Sequence, residues 1–158
     1  MISLEQMRGA RGAFLPLLQR QAEGQILNVA SCFAWMGYPG KTGYSSSKGT
    51  VRDFSESLRL ELADCGIGVT VLYPGPLSTA LVRDGYSDSE ERRTREDQFL
   101  IRRGKRIEGV VRKCLDELLG NPGRIVTSMD YRLMDTLVRL SPRLASRAMG
   151  FIAERTKF

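Results

Sequence analysis

The sequence predicts an α/β fold in which helices cover a parallel sheet. Short apolar runs rich in Ile, Leu and Val occupy residues 25–30, 69–73 and 124–128, and such runs are typical of strands buried on both faces of a parallel sheet. Longer segments between them carry apolar residues three and four positions apart, which is the spacing of an amphipathic helix. Strands that alternate with helices indicate an α/β layer architecture.

The amino-terminal elements are a helix, a strand and a loop. Residues 4–21 have helical apolar spacing, and Gly24 follows the end of this helix. The strand at residues 25–30 comes next, with Ser31 at its carboxyl end. Residues 32–43 are rich in glycine and also contain a proline, so they predict a loop.

The strongest helical pattern spans residues 44–65. An apolar stripe runs along one side of this segment, and Gly66 provides its end. The strand at residues 69–73 follows and ends at Pro74-Gly75. The later predicted elements are helices at 89–103 and 107–119, a turn at 120–123 and a last strand at 124–128.

The chain ends in a basic amphipathic segment, so we expect a body at residues 1–128 and a helical tail at residues 129–158. The tail is interrupted near Pro142. Its apolar stripe, which begins at Leu133, is expected to pack on the body or on a neighbouring subunit. The alternative is weak peripheral contact with an anionic membrane through the same tail.

The composition excludes several classes of protein. With 158 residues, 42% of them hydrophobic and 27% charged, the chain has the size and balance of one soluble globular domain. It contains no histidine, which excludes Ser-His triads, Cys-His proteases and most catalytic metal sites. We therefore expect no metal, and proton transfer must use Tyr, Lys or a carboxylate.

Charge and hydropathy predict a cytoplasmic protein. No apolar run approaches the roughly 20 residues that cross a bilayer, and the first residues lack the order of a secretory signal. Cys32, Cys65 and Cys114 have no C-x-x-C spacing, which indicates reduced thiols. The net charge of +6 suits anionic partners. Acidic residues are interspersed with the arginines of residues 84–97, however, so we do not expect the protein to bind nucleic acid.

Tyr44 and Lys48 lie one helical turn apart, a spacing that brings an ammonium group near a phenol oxygen. Such a charge favours the phenolate, so the spacing predicts a pKa of Tyr44 drawn down from about 10 toward neutral pH. Ser31 reaches the same sheet edge, where open α/β sheets bind ligands. Ser31 would hold a carbonyl or alcohol oxygen while Tyr44 exchanges its proton.

A Tyr-x-x-x-Lys pair alone is a weak signal, but here it accompanies the strand-end Ser31 and a Pro-Gly-x-x-x-Thr segment that ends at Thr79. Together these features resemble the short-chain dehydrogenase/reductase family over residues 1–79. The resemblance implies a partial Rossmann-like fold, a doubly wound parallel sheet. It also implies an NAD(P)-dependent oxidoreductase that interconverts a secondary alcohol and a ketone.

The resemblance assigns roles to individual residues. It implies that Ser31 holds the substrate oxygen, that Tyr44 is the general acid/base, and that Lys48 supports the tyrosine and binds the nicotinamide ribose. The cofactor is expected to be NAD or NADP, and the substrate a small carbonyl or alcohol compound. The implied cofactor-binding residues are Tyr44, Lys48, Pro74, Gly75, Leu77 and Thr79, and the expected substrate pocket is lined by Cys32, Phe33 and Tyr38.

Two departures from the family pattern leave an alternative open. The asparagine that completes the family's catalytic tetrad falls at Ser3, and the amino-terminal βαβαβ half with its glycine-rich cofactor loop has no counterpart. We therefore expect a truncated fold that lacks this half. The alternative is a catalytically silent interaction module. In both cases the helices at 4–21 and 44–65 resemble those that pair family dimers, which predicts a homo-oligomer.

Overall fold

The computed structural model describes residues 4–77 and 90–156, and within them it confirms an α/β fold with a three-stranded parallel sheet. Helices flank the sheet, as the alternating pattern predicted. The elements in chain order are α1 (Leu4–Gln21), β1 (Gly24–Val29), a 3-10 turn (Cys32–Ala34), α2 (Thr42–Glu61), β2 (Ile67–Tyr73), α3 (Glu90–Arg103), α4 (Ile107–Leu118), β3 (Arg124–Val126), α5 (Met129–Leu140) and α6 (Pro142–Thr156).

The strands lie in the order β1-β2-β3, and both pairs are parallel. Val29 lies opposite Leu72 in the register of β1 and β2, and Tyr73 lies opposite Val126 in the register of β2 and β3. All three strands therefore end at one edge of the sheet, which we call the carboxyl edge.

The central strand β2 is buried along its whole length, as its sequence predicted. On one face, Val69 packs with Leu58 of α2. On the other face, Leu72 packs with Cys114 of α4. Helices on both faces of β2 explain why nearly every position of this strand is apolar.

The edge strand β1 differs from its prediction, because it is partly buried on one face and exposed on the other. Asn28 points toward α2, where its amide nitrogen donates a hydrogen bond of 2.9 Å to Ser55 Oγ. Leu27 and Val29 point to the other face and are 36% and 47% exposed. The prediction of burial on both faces is therefore wrong for β1. The structure describes helix α4 on the same face of the sheet as Leu27 and Val29. This helix packs against β2 and β3 and leaves those two side chains uncovered.

Several predicted boundaries also need correction. The segment at residues 32–43 contains the 3-10 turn, whereas a loop throughout was predicted. Helix α2 begins at Thr42 and ends at Glu61, because the chain turns at residues 62–66 before β2 begins at Ile67. The predicted last strand is shortened to the three residues of β3.

The tail forms two helices that meet at Pro142, as predicted. Tyr131 and Val138 of α5 pack against the buried core, whereas Leu133 of the predicted stripe is 73% exposed. Part of α5 thus packs on the rest of the chain through Tyr131 and Val138, which do not belong to the predicted stripe. The division of the chain at residue 128 stays a prediction. None of the helices within the described ranges combines the length and apolar character needed to cross a membrane.

Gly66 is required by the turn between α2 and β2. Its φ is +69°, and a Cβ at this position would collide with the carbonyl oxygen of Ala22. We expect Gly66→Ala to lower the free energy of unfolding by about 2 to 3 kcal/mol, because it adds backbone strain to a steric clash. Gly9 in α1 has open space around it, so Gly9→Ala should raise that free energy by up to about 1 kcal/mol. Urea unfolding of both variants measures the difference, and equal stability would contradict the prediction.

Candidate active site

Ser31 lies at the carboxyl edge, two residues after the end of β1. The amide of Ala30 donates to the Leu72 carbonyl at 2.9 Å, which continues the pairing with β2 up to this point. Ser31 then caps the 3-10 turn with an extended backbone, and its Oγ accepts a hydrogen bond of 3.3 Å from the Phe33 amide. The turn therefore fixes the buried hydroxyl in place, and the hydroxyl itself can donate to Cys32 Sγ at 4.0 Å.

Tyr44 lies in the first turn of α2 and faces the 3-10 turn. Its ring contacts the Phe33 ring edge-on, with 6.1 Å between the centroids. The Ser31 side chain lies near enough to the Tyr44 hydroxyl to favour its phenolate form, an effect that lowers the pKa of Tyr44. The fold thus brings together the two hydroxyls that the sequence placed in one candidate site.

The pKa of Tyr44 is raised, whereas the sequence predicted a lowered value. Burial of the phenol is the largest cause, since a buried site disfavours the charged phenolate. The nearby Ser31 hydroxyl lowers the pKa of Tyr44, but burial outweighs this effect, and the nearby Cys32 raises the pKa further. The prediction that Lys48 draws the pKa of Tyr44 toward neutral pH is therefore wrong for this structure.

Lys48 lies near the tyrosine but its ammonium bonds elsewhere. Its Nζ is 5.9 Å from the centroid of the Tyr44 ring and donates a hydrogen bond of 3.1 Å to the Val29 carbonyl oxygen. Partial burial lowers the pKa of Lys48. This ammonium is thus held at the carboxyl edge, at the end of β1, where it can also donate to a ligand.

The segment after β2 lies against the segment after β3. The amide of Gly75 donates a hydrogen bond of 3.0 Å to Thr127 Oγ1, and a Cβ on Gly75 would come within 3.0 Å of Ser128 Cβ. Pro74 precedes this contact, and Leu77 forms a parallel bridge with Lys105. The glycine therefore allows the backbone after β2 to approach the side chains of Thr127 and Ser128 closely at the carboxyl edge. Thr79 and Ser3 lie outside the described residues.

The three residues predicted to line a substrate pocket lie together beside Tyr44. Cys32 is buried in the 3-10 turn, and burial raises the pKa of its thiol. The rings of Phe33 and Tyr38 have centroids 5.3 Å apart. This cluster gives one side of the site an apolar, aromatic surface.

Tyr131 is a residue of this region that the sequence reasoning missed. It belongs to the first turn of α5, packs against the core cluster that includes Cys32, and interacts electrostatically with both Cys32 and Tyr44. Its position after the third strand is a usable signal, because side chains that follow parallel strands meet at one edge.

No group of His, Cys, Asp and Glu suited to a metal ion occurs in the part of the chain that the structure describes. The donors around Ser31 and Tyr44 are hydroxyls, a thiol and an ammonium group. Such a site suits a polar organic oxygen and a proton transfer.

Comparison with known proteins identifies the family. The sequence profile described as short chain dehydrogenase matches residues 7–90, which is more than half of the chain. The chain belongs to the short-chain dehydrogenase family. The matched residues include the end of β1, the 3-10 turn, α2 and β2, and hence most of the candidate site.

Relatives and solved structures agree with this assignment. A putative oxidoreductase, SadH, from Mycobacterium tuberculosis is 30% identical over 132 residues, which are 81% of this chain and 48% of that protein. Carbonyl reductase [NADPH] 2 from Sus scrofa is 32% identical over 99 residues, which are 63% of this chain and 41% of that protein. The chain thus spans about half the length of these relatives.

Two crystal structures share the fold. A short chain dehydrogenase from Burkholderia cenocepacia in complex with NADP aligns with a TM-score of 0.70 and 22% identity, over 92% of this chain and 53% of that one. A short chain dehydrogenase/reductase from Burkholderia phymatum in complex with NAD aligns with a TM-score of 0.71 and 21% identity, over 87% of this chain and 56% of that one. These similarities support the Rossmann-like α/β assignment for the described sheet and helices.

Proposed function

We propose that the chain carries the catalytic part of an NAD(P)-dependent oxidoreductase that interconverts a secondary alcohol and a ketone. The observation that carries the proposal is that Ser31 and Tyr44 lie near each other at the carboxyl edge, with the Lys48 ammonium 5.9 Å from the centroid of the Tyr44 ring. Membership of the short-chain dehydrogenase family supports an oxidoreductase. Relatives crystallised with NADP and with NAD support the choice of cofactor class.

The described residues fit the nicotinamide end of such a cofactor. Lys48 offers an ammonium at the end of β1, suited to the ribose hydroxyls, and Gly75 offers a backbone that approaches its neighbours without a side chain. Pro74 and Leu77 flank this position, and Thr79 is proposed as a further contact. When bound, the nicotinamide supplies or accepts the hydride.

In the proposed mechanism the side chains of this chain handle the oxygen and its proton. Ser31 donates its hydroxyl hydrogen to the carbonyl oxygen and holds it next to Tyr44. As the hydride adds to the carbonyl carbon, the C=O π pair moves to the oxygen, and Tyr44 gives that oxygen its proton. The products are the alcohol and the Tyr44 phenolate, which regains a proton from solvent. The reverse sequence oxidises an alcohol.

The raised pKa of Tyr44 leads to a prediction about pH. Because burial keeps the phenol protonated beyond its ordinary range, carbonyl reduction should stay constant through neutral pH and fall only as the pH rises through the pKa of Tyr44. Alcohol oxidation, which needs the phenolate, should increase over the same pH range. The dependence of kcat/KM on pH in both directions measures this. A reduction rate that falls between pH 6 and about 8 would contradict it.

A binding titration tests the proposed function directly. NADH and NADPH are added separately to the 158-residue chain and to the longest natural form that contains it, and nicotinamide fluorescence is followed. Saturable binding together with ketone-dependent oxidation of either nucleotide supports the enzyme. Absence of both in the longest natural form would overturn the proposal and favour a catalytically silent module.

A further inference from the structure

Helix α5 presents apolar side chains to solvent as well as to the core. Tyr131 and Val138 pack inward against the buried core cluster, whereas Met129, Leu133 and Leu140 are 74%, 73% and 80% exposed. At about 100° of rotation per residue, the three exposed side chains lie within roughly 40° of one another and opposite the inward pair. The outward face of a surface helix is normally polar. We call Met129, Leu133 and Leu140 the outer stripe of α5.

Helix α6 also exposes apolar side chains. It begins at Pro142, directly after the end of α5, and the two helices pack on each other. Leu144 and Phe151 are each 54% exposed and lie two helical turns apart on one side of α6. Arg147 lies one helical turn from each of them. Exposed apolar side chains therefore occur along both helices of the tail, and a surface of this kind indicates an interaction site.

The charges of the tail indicate what kind of partner fits this surface. Residues 136–153 include Arg139, Arg143 and Arg147 but neither aspartate nor glutamate. Arg139 pairs with Asp135 at 3.2 Å. The side chains of Arg143 and Arg147 are exposed and have no ion pair or hydrogen bond with any described residue. The surface is thus both apolar and positively charged, which complements a surface that offers acyl chains and anionic groups together.

We propose that the two helices of the tail dock on the surface of a membrane that contains anionic lipids. In this arrangement the outer stripe of α5 enters the boundary between headgroups and acyl chains, and Arg143 and Arg147 contact lipid phosphates. A second copy of this chain fits the surface less well, because symmetric pairing of one face brings the unpaired arginines of both copies together. The inference goes beyond the proposed redox function and does not depend on it.

The test is flotation of the protein with lipid vesicles in a density gradient, with the longest natural form that contains the chain. Flotation separates bound protein from aggregates, because aggregates stay at the bottom of the gradient. One set of vesicles is phosphatidylcholine alone, and the other is an equal mixture of phosphatidylcholine and phosphatidylglycerol. We expect the protein to float with the mixed vesicles, to float far less with the neutral vesicles, and to be released as the salt concentration rises.

Two double variants separate the apolar contribution from the charged one. Leu133→Gln with Leu140→Gln shortens the outer stripe and should lower binding to the mixed vesicles by roughly 10- to 100-fold. Arg143→Gln with Arg147→Gln removes two positive charges and should lower that binding by roughly 10- to 30-fold. All four side chains are exposed, so both variants should fold, and circular dichroism checks this.

Matched controls lie outside the tail. Leu60→Gln with Leu119→Gln replaces two exposed leucines, one on α2 and one at the end of α4. Arg106→Gln with Arg112→Gln removes two exposed arginines at the start of α4 and within it. Both controls should bind the mixed vesicles as the unmodified protein does.

Four results would overturn the inference. The first is protein that does not float with the mixed vesicles, and the second is equal flotation with the neutral ones. The third is unchanged binding in the Leu133 and Leu140 variant, and the fourth is an equal loss in a variant and its control. If the protein stays unbound and instead forms a dimer that the leucine variant dissociates in sedimentation experiments, the outer stripe binds a second copy.

Discussion

Replacing Tyr44 with Phe is expected to lower turnover by roughly 10²- to 10⁴-fold, the usual contribution of a general acid/base. The Tyr44 hydroxyl lies near Ser31 at the carboxyl edge, so its removal takes the proposed proton donor away from the substrate oxygen. The ring and its contact with Phe33 remain. Cofactor affinity should therefore change little. The measurement is steady-state oxidation of NADH and NADPH by a panel of aliphatic and aromatic ketones, with the longest natural form.

Tyr73→Phe is the matched control for this change. Tyr73 is fully buried in the core, and its hydroxyl has no hydrogen-bond partner among the described residues. Removing that hydroxyl costs no hydrogen bond, so folding and turnover should both be preserved. Retained turnover in Tyr44→Phe, or an equal loss in both variants, would remove Tyr44 from the mechanism.

Replacing Lys48 with Met is expected to weaken NADH and NADPH binding by roughly 10- to 100-fold, the equivalent of about 1.5 to 3 kcal/mol for a hydrogen bond from a charged group. The ammonium is held at the end of β1 by the Val29 carbonyl, in position for a ribose hydroxyl. Because burial, and not Lys48, dominates the pKa of Tyr44, the pH dependence of turnover should shift little. Fluorescence titration and the pH profile separate the two roles that the family resemblance gives to this lysine.

Lys113→Met provides the control for loss of a positive charge. Lys113 lies on α4, on the other side of the sheet from α2, and pairs with Glu117 at 3.7 Å. Its replacement should leave affinity and turnover unchanged. A Lys48→Met variant that binds the nucleotides normally but shifts the pH profile strongly would show that Lys48 acts on the tyrosine and does not hold the cofactor.

The order of elements could be predicted from the sequence because each depends on a local pattern. Helix α1 was placed without error, since its apolar spacing and the glycine after it are both local signals. The half-exposed face of β1 could not be predicted. Apolar residues such as Leu27 indicate a strand suited to burial, but whether a helix covers them depends on where α4 packs.

The residue types of the site could be predicted, but their electrostatics could not. The spacing places Lys48 one helical turn from Tyr44, but the lysine donates its hydrogen bond to the Val29 carbonyl. No pattern in the sequence predicts that bond. Burial of Tyr44 depends on the 3-10 turn and on residues far along the chain. Tyr131 was missed for the same reason, because its contact with the cluster around Cys32, far apart in the sequence, arises only when strands align at a shared edge.

Strand β1 bonds to one neighbouring strand in the described sheet, and this has a practical consequence for experiments on the chain. In the described sheet, one side of β1 bonds to β2, and an outer strand displays amide and carbonyl groups that can template aggregation. The apolar Leu27 and Val29 lie on the same strand. We therefore expect the 158-residue chain to form aggregates as its concentration rises. Light scattering measured alongside every titration would detect them. Val29→Lys should improve solubility.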